Sequence, residues 1–156
     1  MDFKQLDRGE LIAMVGGVIL VIALFLAWYS LGNMHARVGN CRGAHVHCTG
    51  WNSLKGLRFV VLLAGAAPFI LGYIIIRGHA LSWPRGELTA VTSLVALTLV
   101  VFRGIIDKPV PTGYPIAQVT ITYGWFVALF GGLLILLGSV ARSRESAGRR
   151  KPPGVL

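Results

Sequence analysis

Hydrophobic residues in this chain collect into four long runs, and short segments between the runs carry nearly all of the charged side chains. The runs are 11–31, 57–76, 88–106 and 122–141. About twenty helical residues cover roughly 30 Å, the thickness of the hydrocarbon layer of a bilayer. Because a backbone in lipid must satisfy its own hydrogen bonds, each run is expected to be a helix. The pattern predicts an all-α membrane protein, built as a four-helix transmembrane bundle.

The third run is the least apolar of the four. Its charge-free part, 88–102, is only fifteen residues long. It contains several hydroxyl-bearing residues, namely Thr89, Thr92, Ser93 and Thr98. A helix of this kind also occurs inside soluble proteins. Two arguments favour a span: Arg103 near its end can extend its side chain to the headgroups, and a fourth crossing keeps the basic C-terminal tail on the cytoplasmic side.

The composition agrees with a membrane protein. Hydrophobic residues make up 54% of the chain and charged residues only 13%, whereas globular domains carry about 25% charged residues. The net charge of +9 raises the question of nucleic acid. The basic residues flank the apolar runs, however, where they determine topology. Nucleic acid is therefore not an expected partner.

The distribution of basic residues predicts the orientation. With four spans, the N-terminus, the middle loop and the tail share one side. Nine basic residues fall there: Lys4, Arg8, Arg77, Arg85, Arg142, Arg144, Arg149, Arg150 and Lys151. Six fall on the opposite side: Arg37, Arg42, Lys55, Arg58, Arg103 and Lys108. The positive-inside rule then places both termini in the cytoplasm and the loop 32–56 outside the cell membrane. Interfacial belts are expected to include Trp28, Tyr29, Tyr73, Trp83, Tyr123 and Trp125.

The chain divides into one transmembrane domain, 1–141, and a tail, 142–156. The tail is rich in Arg, Ser, Gly and Pro, a composition typical of disorder. We expect its basic cluster to fix the topology and to attract anionic lipid headgroups, at about 1 kcal/mol per basic residue near the surface.

A short string recurs at the start of two spans. Arg8-Gly9-Glu10-Leu11 opens the first and Arg85-Gly86-Glu87-Leu88 opens the third. One interpretation is a duplicated helical hairpin, as in membrane proteins built from parallel repeats; the other is chance similarity between apolar helices. In both cases Glu10 and Glu87 are expected to offset the positive ends of the helix dipoles. The neighbouring arginines and Arg103 are expected to anchor to headgroups at the membrane interface.

Small residues at four-residue spacing suggest where helices meet. The fourth run contains Gly124, Ala128 and Gly132, and the first contains Ala13 and Gly17. Small side chains let helix backbones approach closely in lipid. The pattern fits packing within the bundle, and it also fits contact with a second copy or with another membrane protein.

Both cysteines lie in the outer loop, and His45 and His47 lie between them. In an oxidising compartment Cys41 and Cys48 form a disulfide, worth roughly 2–3 kcal/mol. A metal site on these four residues is an alternative, although eight residues folded around one ion are strained. Free or redox-active thiols are the third interpretation.

Residues for catalysis are not evident. All six carboxylates lie outside the apolar cores, whereas ion-coupled transporters generally need an ionisable group within the membrane. No phosphate-binding loop, nucleophile elbow or H-E-x-x-H pair occurs. An enzyme is not expected, and neither is a cofactor or a resident metal.

Several short strings resemble those of a known group. They are an Arg-Gly-Glu start, a Gly-Gly helix ending in Phe-Leu-Ala-Trp-Tyr, a Trp-bearing outer loop, a third run ending in Val-Phe-Arg-Gly-Ile-Ile-Asp-Lys-Pro, and Tyr-Gly-Trp at the start of the fourth. The chain resembles a family of small, uncharacterised four-span membrane proteins from actinobacteria. The resemblance implies the four-span plan and a bacterial cytoplasmic membrane, and it implies no function or site.

Three functions remain open at this stage. The first is a non-enzymatic scaffold or accessory subunit of a membrane complex. The second is a small transporter or channel component that uses Thr92, Thr98 and Arg103. The third is an extracytoplasmic thiol or metal-binding membrane protein that uses the cysteine loop.

Overall fold

The computed structural model describes residues 8–32, 37–38, 40–42, 47–77, 87–107 and 119–148. Several predicted features lie outside these residues, namely Arg85, Trp83, His45 and the end of the tail, 149–156.

Long helices dominate the described part. The helices are α1 (Arg8–Phe25), α2 (Gly50–Ser53), α3 (Leu57–Ile76), α4 (Glu87–Val101) with a π-helical turn (Phe102–Ile106), and α5 (Tyr123–Gly148). The strands are β1 (Ala27–Leu31), β2 (Arg37–Val38), β3 (Cys41–Arg42), β4 (His47–Thr49) and β5 (Val119–Ile121). Four of the described helices are long and apolar enough to cross a membrane, and the third of them, Glu87–Ile106, includes the π-helical turn. This confirms the predicted four-helix transmembrane bundle.

The four long helices form a closed ring in which α1 packs against α3 and α5, and α4 packs against the same two helices. Each helix buries its small residues together with some large apolar ones and exposes other large apolar residues on its outer face. In α1 the residues facing the neighbouring helices include Ala13, Gly16 and Leu20, whereas Val15 and Ile22 are exposed. This division follows the 3.6-residue period of a helix, and the outward faces suit contact with lipid.

The tightest contact is between α1 and α5, whose backbones touch along their length. A Cβ atom added to Gly16 would lie 2.8 Å from the carbonyl oxygen of Gly131, and one added to Gly9 would lie 2.7 Å from that of Gly138. The contact pairs early residues of α1 with late residues of α5, so the two helices are antiparallel. Only glycine permits this approach.

The two halves of the chain pack unequally. A two-fold axis relating α1–α3 to α4–α5 would make the α1–α5 and α3–α4 contacts alike. The first is the most extensive contact in the bundle, and the second is the least extensive between neighbouring helices. The duplicated hairpin therefore stays a prediction about the sequence, without a matching symmetry in the packing.

One end of the bundle carries a small cap. A three-stranded antiparallel sheet has the order β4–β1–β5, and β2 and β3 form a separate two-stranded hairpin. Tyr29 pairs with Cys48 on one side and with Ile121 on the other. The predicted first span, 11–31, was therefore too long: the helix ends at Phe25, and the apolar residues after Leu26 form the central strand of this sheet.

The opposite end differs from the prediction as well. Helix α5 continues to Gly148, so residues 142–148 of the predicted disordered tail are helical. The reason is local. The Arg142 side chain is held by an ion pair with Glu10, and the Ser143 hydroxyl donates to the carbonyl oxygen of Ser139 at 3.1 Å.

Candidate functional site

The cap is built around Trp28, which the sequence placed in an interfacial belt. Its side chain is fully buried, and its indole N–H donates to the carbonyl oxygen of Ala23 at 2.7 Å. Gly50 and Gly124 both lie against the five-membered ring of the indole. The sheet brings these glycines to the ring from distant parts of the sequence, so Trp28 joins α1, α2 and α5 in one core.

Tyr29 and Trp125 connect the cap to α4. The Tyr29 hydroxyl donates to the Arg103 carbonyl oxygen at 2.8 Å, and the Trp125 indole N–H donates to the Val100 carbonyl oxygen at 2.8 Å. The π-helical turn makes the hydrogen bond from Tyr29 to the Arg103 carbonyl oxygen possible. Asp107 N–H donates to the carbonyl oxygen of Phe102 at 2.8 Å, five residues back, instead of to that of Arg103. The Arg103 carbonyl group is therefore free to accept from outside its own helix.

The environment of Tyr29 disfavours its ionised form. Burial is the main cause, and it raises the pKa of the phenol from 10.0 to about 12. The charge of Arg103 acts in the opposite direction, and that of Asp107 adds to the increase. Arg103 and Asp107, four residues apart in the sequence, form an ion pair with 2.6 Å between Nη1 and Oδ2.

Cys41 and Cys48 are joined by a disulfide, with their Cα atoms 5.8 Å apart. Both residues are buried in the cap, whereas His47 is exposed. With both sulfur atoms in the bond, neither thiolate is available to a metal ion. Within the described residues, no group of three or more potential His, Cys, Asp or Glu ligands comes together.

A second cluster at this end joins α2 to the start of α3. The Arg58 guanidinium lies 4.7 Å from the ring centroid of Trp51 and 4.9 Å from that of Phe59. One terminal N–H group donates to the Trp51 carbonyl oxygen at 3.4 Å. Phe25, the last residue of α1, stacks on Trp51 with centroids 5.6 Å apart. No pattern in the sequence groups these four residues.

At the other end, Glu10 and Arg142 form a buried ion pair between α1 and α5. Glu10 was predicted to lie at the membrane interface, but its side chain is enclosed by protein because Gly9 and Gly138 let the two helices meet there. Arg8 and Glu87 are exposed at this same end.

The hydroxyl groups of α4 are occupied within the bundle. Thr92 donates to the Leu88 carbonyl oxygen at 3.0 Å, and Thr98 donates to that of Leu94 at 2.8 Å. Ser93 donates to the carbonyl oxygen of Ala90 at 2.9 Å. These bonds to the preceding turn satisfy each hydroxyl on its own helix.

The predicted packing residues serve different neighbours. A Cβ at Gly17 would lie 2.5 Å from the Gly65 carbonyl oxygen on α3, and one at Gly132 would lie 2.8 Å from the Leu97 side chain on α4. Gly124 faces β1, and Ala128 is fully buried. Gly124, Ala128 and Gly132 therefore do not share one face of α5. Successive helical residues are about 100° apart, so position 131 returns to the α1 side while 132 turns away.

Comparison of the chain with protein-family models, with curated proteins and with solved structures gave no match.

Proposed function

We propose that this protein is a non-enzymatic component of a bacterial cytoplasmic membrane, acting as a scaffold or accessory subunit of a larger membrane complex. The observation that carries the proposal is the use of polar groups inside the bundle. Ser139 and Thr89 contact each other through their hydroxyl oxygens at 2.9 Å, and Glu10 is paired with Arg142. These groups connect helices to one another, which is a structural role.

The transporter alternative receives less support. It requires Thr92, Thr98 and Arg103 to line a polar path. The threonine hydroxyls bond to their own helix, and Arg103 pairs with Asp107 at the end of the span. The thiol alternative also receives less support, because Cys41 and Cys48 are buried in a disulfide between strands of the cap.

The orientation is part of the proposal. We place the cap outside the cell and both termini in the cytoplasm. The Cys41–Cys48 disulfide supports this arrangement, since such bonds persist in oxidising compartments. The surplus of basic residues at the other end supports it as well. We keep the prediction that the basic residues of the tail attract anionic headgroups of the inner leaflet.

Site-specific photo-crosslinking in the native membrane tests the scaffold role. A photoreactive residue at Val95 samples the exposed side of α4, the least covered span, and one at Val15 samples that of α1. For a scaffold we expect one of these faces to crosslink to a defined protein, identified by mass spectrometry. A photoreactive residue at the buried position Ala96 is the matched control on the same helix.

Two results would contradict the proposal. One is crosslinking of both exposed positions to lipid alone. The other is a solute-dependent flux through the purified protein in liposomes, abolished when Thr92 is replaced by Val.

A further inference from the structure

The capped end of the bundle carries more positive charge than its own carboxylate compensates. The sequence contains no Asp or Glu between Leu11 and Gly86. The carboxylate at this end, Asp107, is already paired with Arg103. Lys55 and Arg58 are different, because the described structure gives neither of them an ion pair. An anion from outside the chain would complete this surface.

The start of α3 adds to the excess of positive charge. The helix begins at Leu57 with no acidic residue in its first turn, and Gly56 provides no side-chain cap. The N-terminus of a helix is the positive end of its dipole, where cations are unfavourable and anions are favoured. The sequence nevertheless places Lys55 and Arg58 here.

Arg58 is held ready for an anion. The rings of Trp51 and Phe59 lie against its guanidinium, and one N–H group is fixed by the Trp51 carbonyl oxygen. Its Nε–H group is buried and has no hydrogen-bond partner among the described residues, so a ligand from outside would meet the terminal N–H groups of the side chain. A planar, partly desolvated guanidinium with free donors is well suited to a phosphate group.

The depth of Arg58 indicates where the phosphate comes from. Phe25 ends α1 and Phe59 lies near the start of α3, and both rings are exposed. Aromatic rings exposed at the ends of spans are typical of the boundary between hydrocarbon and headgroups, and we take these two rings to mark that level. The guanidinium is therefore at the level of the lipid phosphates, above an apolar surface for acyl chains.

We propose that Arg58 and Lys55 bind the headgroup of one anionic phospholipid in the leaflet at the capped end, with its chains lying over Phe25 and Phe59. The phosphate accepts hydrogen bonds from Arg58. The positive charges of Arg58 and of the exposed Lys55 together supply the preference for a headgroup with net negative charge, and Arg58, which lies against the phosphate, supplies the larger part. The site is independent of the proposed scaffold role and of which side the cap faces.

Native mass spectrometry of the full chain released from detergent measures the binding directly. The probes are phosphatidylglycerol and phosphatidylcholine with matched acyl chains. We expect phosphatidylglycerol to bind about tenfold more tightly, the difference of one charge-assisted contact. Arg58→Gln should remove most of this preference.

The matched control is Arg77→Gln. Arg77 also lies over an aromatic ring, that of Tyr73 at 5.1 Å, but at the opposite end of α3. The variant Arg77→Gln removes the same charge as Arg58→Gln and should leave the preference for phosphatidylglycerol unchanged. Circular dichroism verifies that each variant is folded; if Arg58→Gln is not, Lys55→Gln replaces it, with an expected loss of about fivefold.

Several outcomes would overturn the proposal. Equal affinity for the two lipids is one, and an unchanged preference in folded Arg58→Gln is another. Equal losses in Arg58→Gln and Arg77→Gln would mean that only net charge matters. Displacement of phosphatidylglycerol by millimolar inorganic phosphate would identify a site for the free anion rather than for a lipid.

Discussion

The backbone contact between α1 and α5 makes a sharp prediction for Gly131→Ala. A Cβ atom at this position would lie 2.8 Å from the Leu20 nitrogen and 3.0 Å from the Gly16 carbonyl oxygen. These are backbone atoms, so no side chain can move aside to relieve the overlap. Reaching the 3.4 Å at which ordinary contact begins requires the helices to separate by about 0.6 Å at this level.

The free-energy cost follows from this separation. A gap of about that size forfeits roughly a quarter of the dispersion attraction at each contact it opens, and overpacking of this kind typically costs about 1–3 kcal/mol. Alanine is the better helix former by up to about 1 kcal/mol. We therefore expect Gly131→Ala to lower the free energy of unfolding by about 1–2 kcal/mol.

The assay is unfolding in mixed micelles by titration with a denaturing detergent, followed by tryptophan fluorescence. Gly56→Ala is the control, because a Cβ atom there meets nothing within 4 Å and the backbone already has helical angles. Its free energy of unfolding should stay within about 0.5 kcal/mol of the parent. If the two variants are equally stable, α1 and α5 do not approach as closely as described.

Three further predictions concern individual side chains. Glu10→Gln removes the carboxylate charge from the buried pair with Arg142 and should lower the free energy of unfolding by about 3 kcal/mol. Glu10→Leu combined with Arg142→Met should recover most of this loss in the same titration. Because the pKa of Tyr29 is raised from 10.0 to about 12, its contribution to stability is complete below pH 10 and is lost as the pH rises towards 12. The difference in phenolate absorbance between the parent and Tyr29→Phe should show ionisation near pH 12, and a midpoint near 10 would contradict the prediction. Replacing Cys41 and Cys48 together by Ala should lower the free energy of unfolding by about 2 kcal/mol. Hydrogen exchange should become faster in β4 and stay unchanged in the middle of α3, and equal changes in both would show that the disulfide does not act locally.

Hydropathy was sufficient to locate the four spans, because the ability of a helix to cross a membrane depends on its length and composition alone. The second run, 57–76, coincides with α3, and the third, 88–106, differs from its helix by one residue. The first run failed at its end because strand residues such as Trp28 and Leu31 are as apolar as the helix before them. Only their partners in β4 and β5, far along the chain, reveal that they form a strand.

The side chains at the two ends were also harder to predict, because their partners lie far along the chain. Trp28 and Tyr29 have the composition of an interfacial belt, yet they are buried because the sheet covers them. Glu10 and Arg142 are 132 positions apart, and no local pattern pairs them. Tyr73 and Tyr123, in contrast, are exposed near helix ends, as expected for a belt.

The two ends of the bundle are closed by different chemistry, and this difference bears on function. At the end that contains Glu10, a charged pair joins α1 to α5, the two helices that already touch through glycine. At the capped end, Tyr29 and Trp125 reach carbonyl groups of α4 around the π-helical turn, so α4 is held mainly by neutral hydrogen bonds. A buried ion pair is costly to separate, whereas one neutral hydrogen bond contributes only about 1 kcal/mol. At the Glu10 end α4 is joined to α5 by the neutral contact between Ser139 and Thr89, so the ion pair holds α1 against α5 and does not hold α4. If the proposed complex requires the bundle to open, we therefore expect α4 to move before α1 and α5 separate.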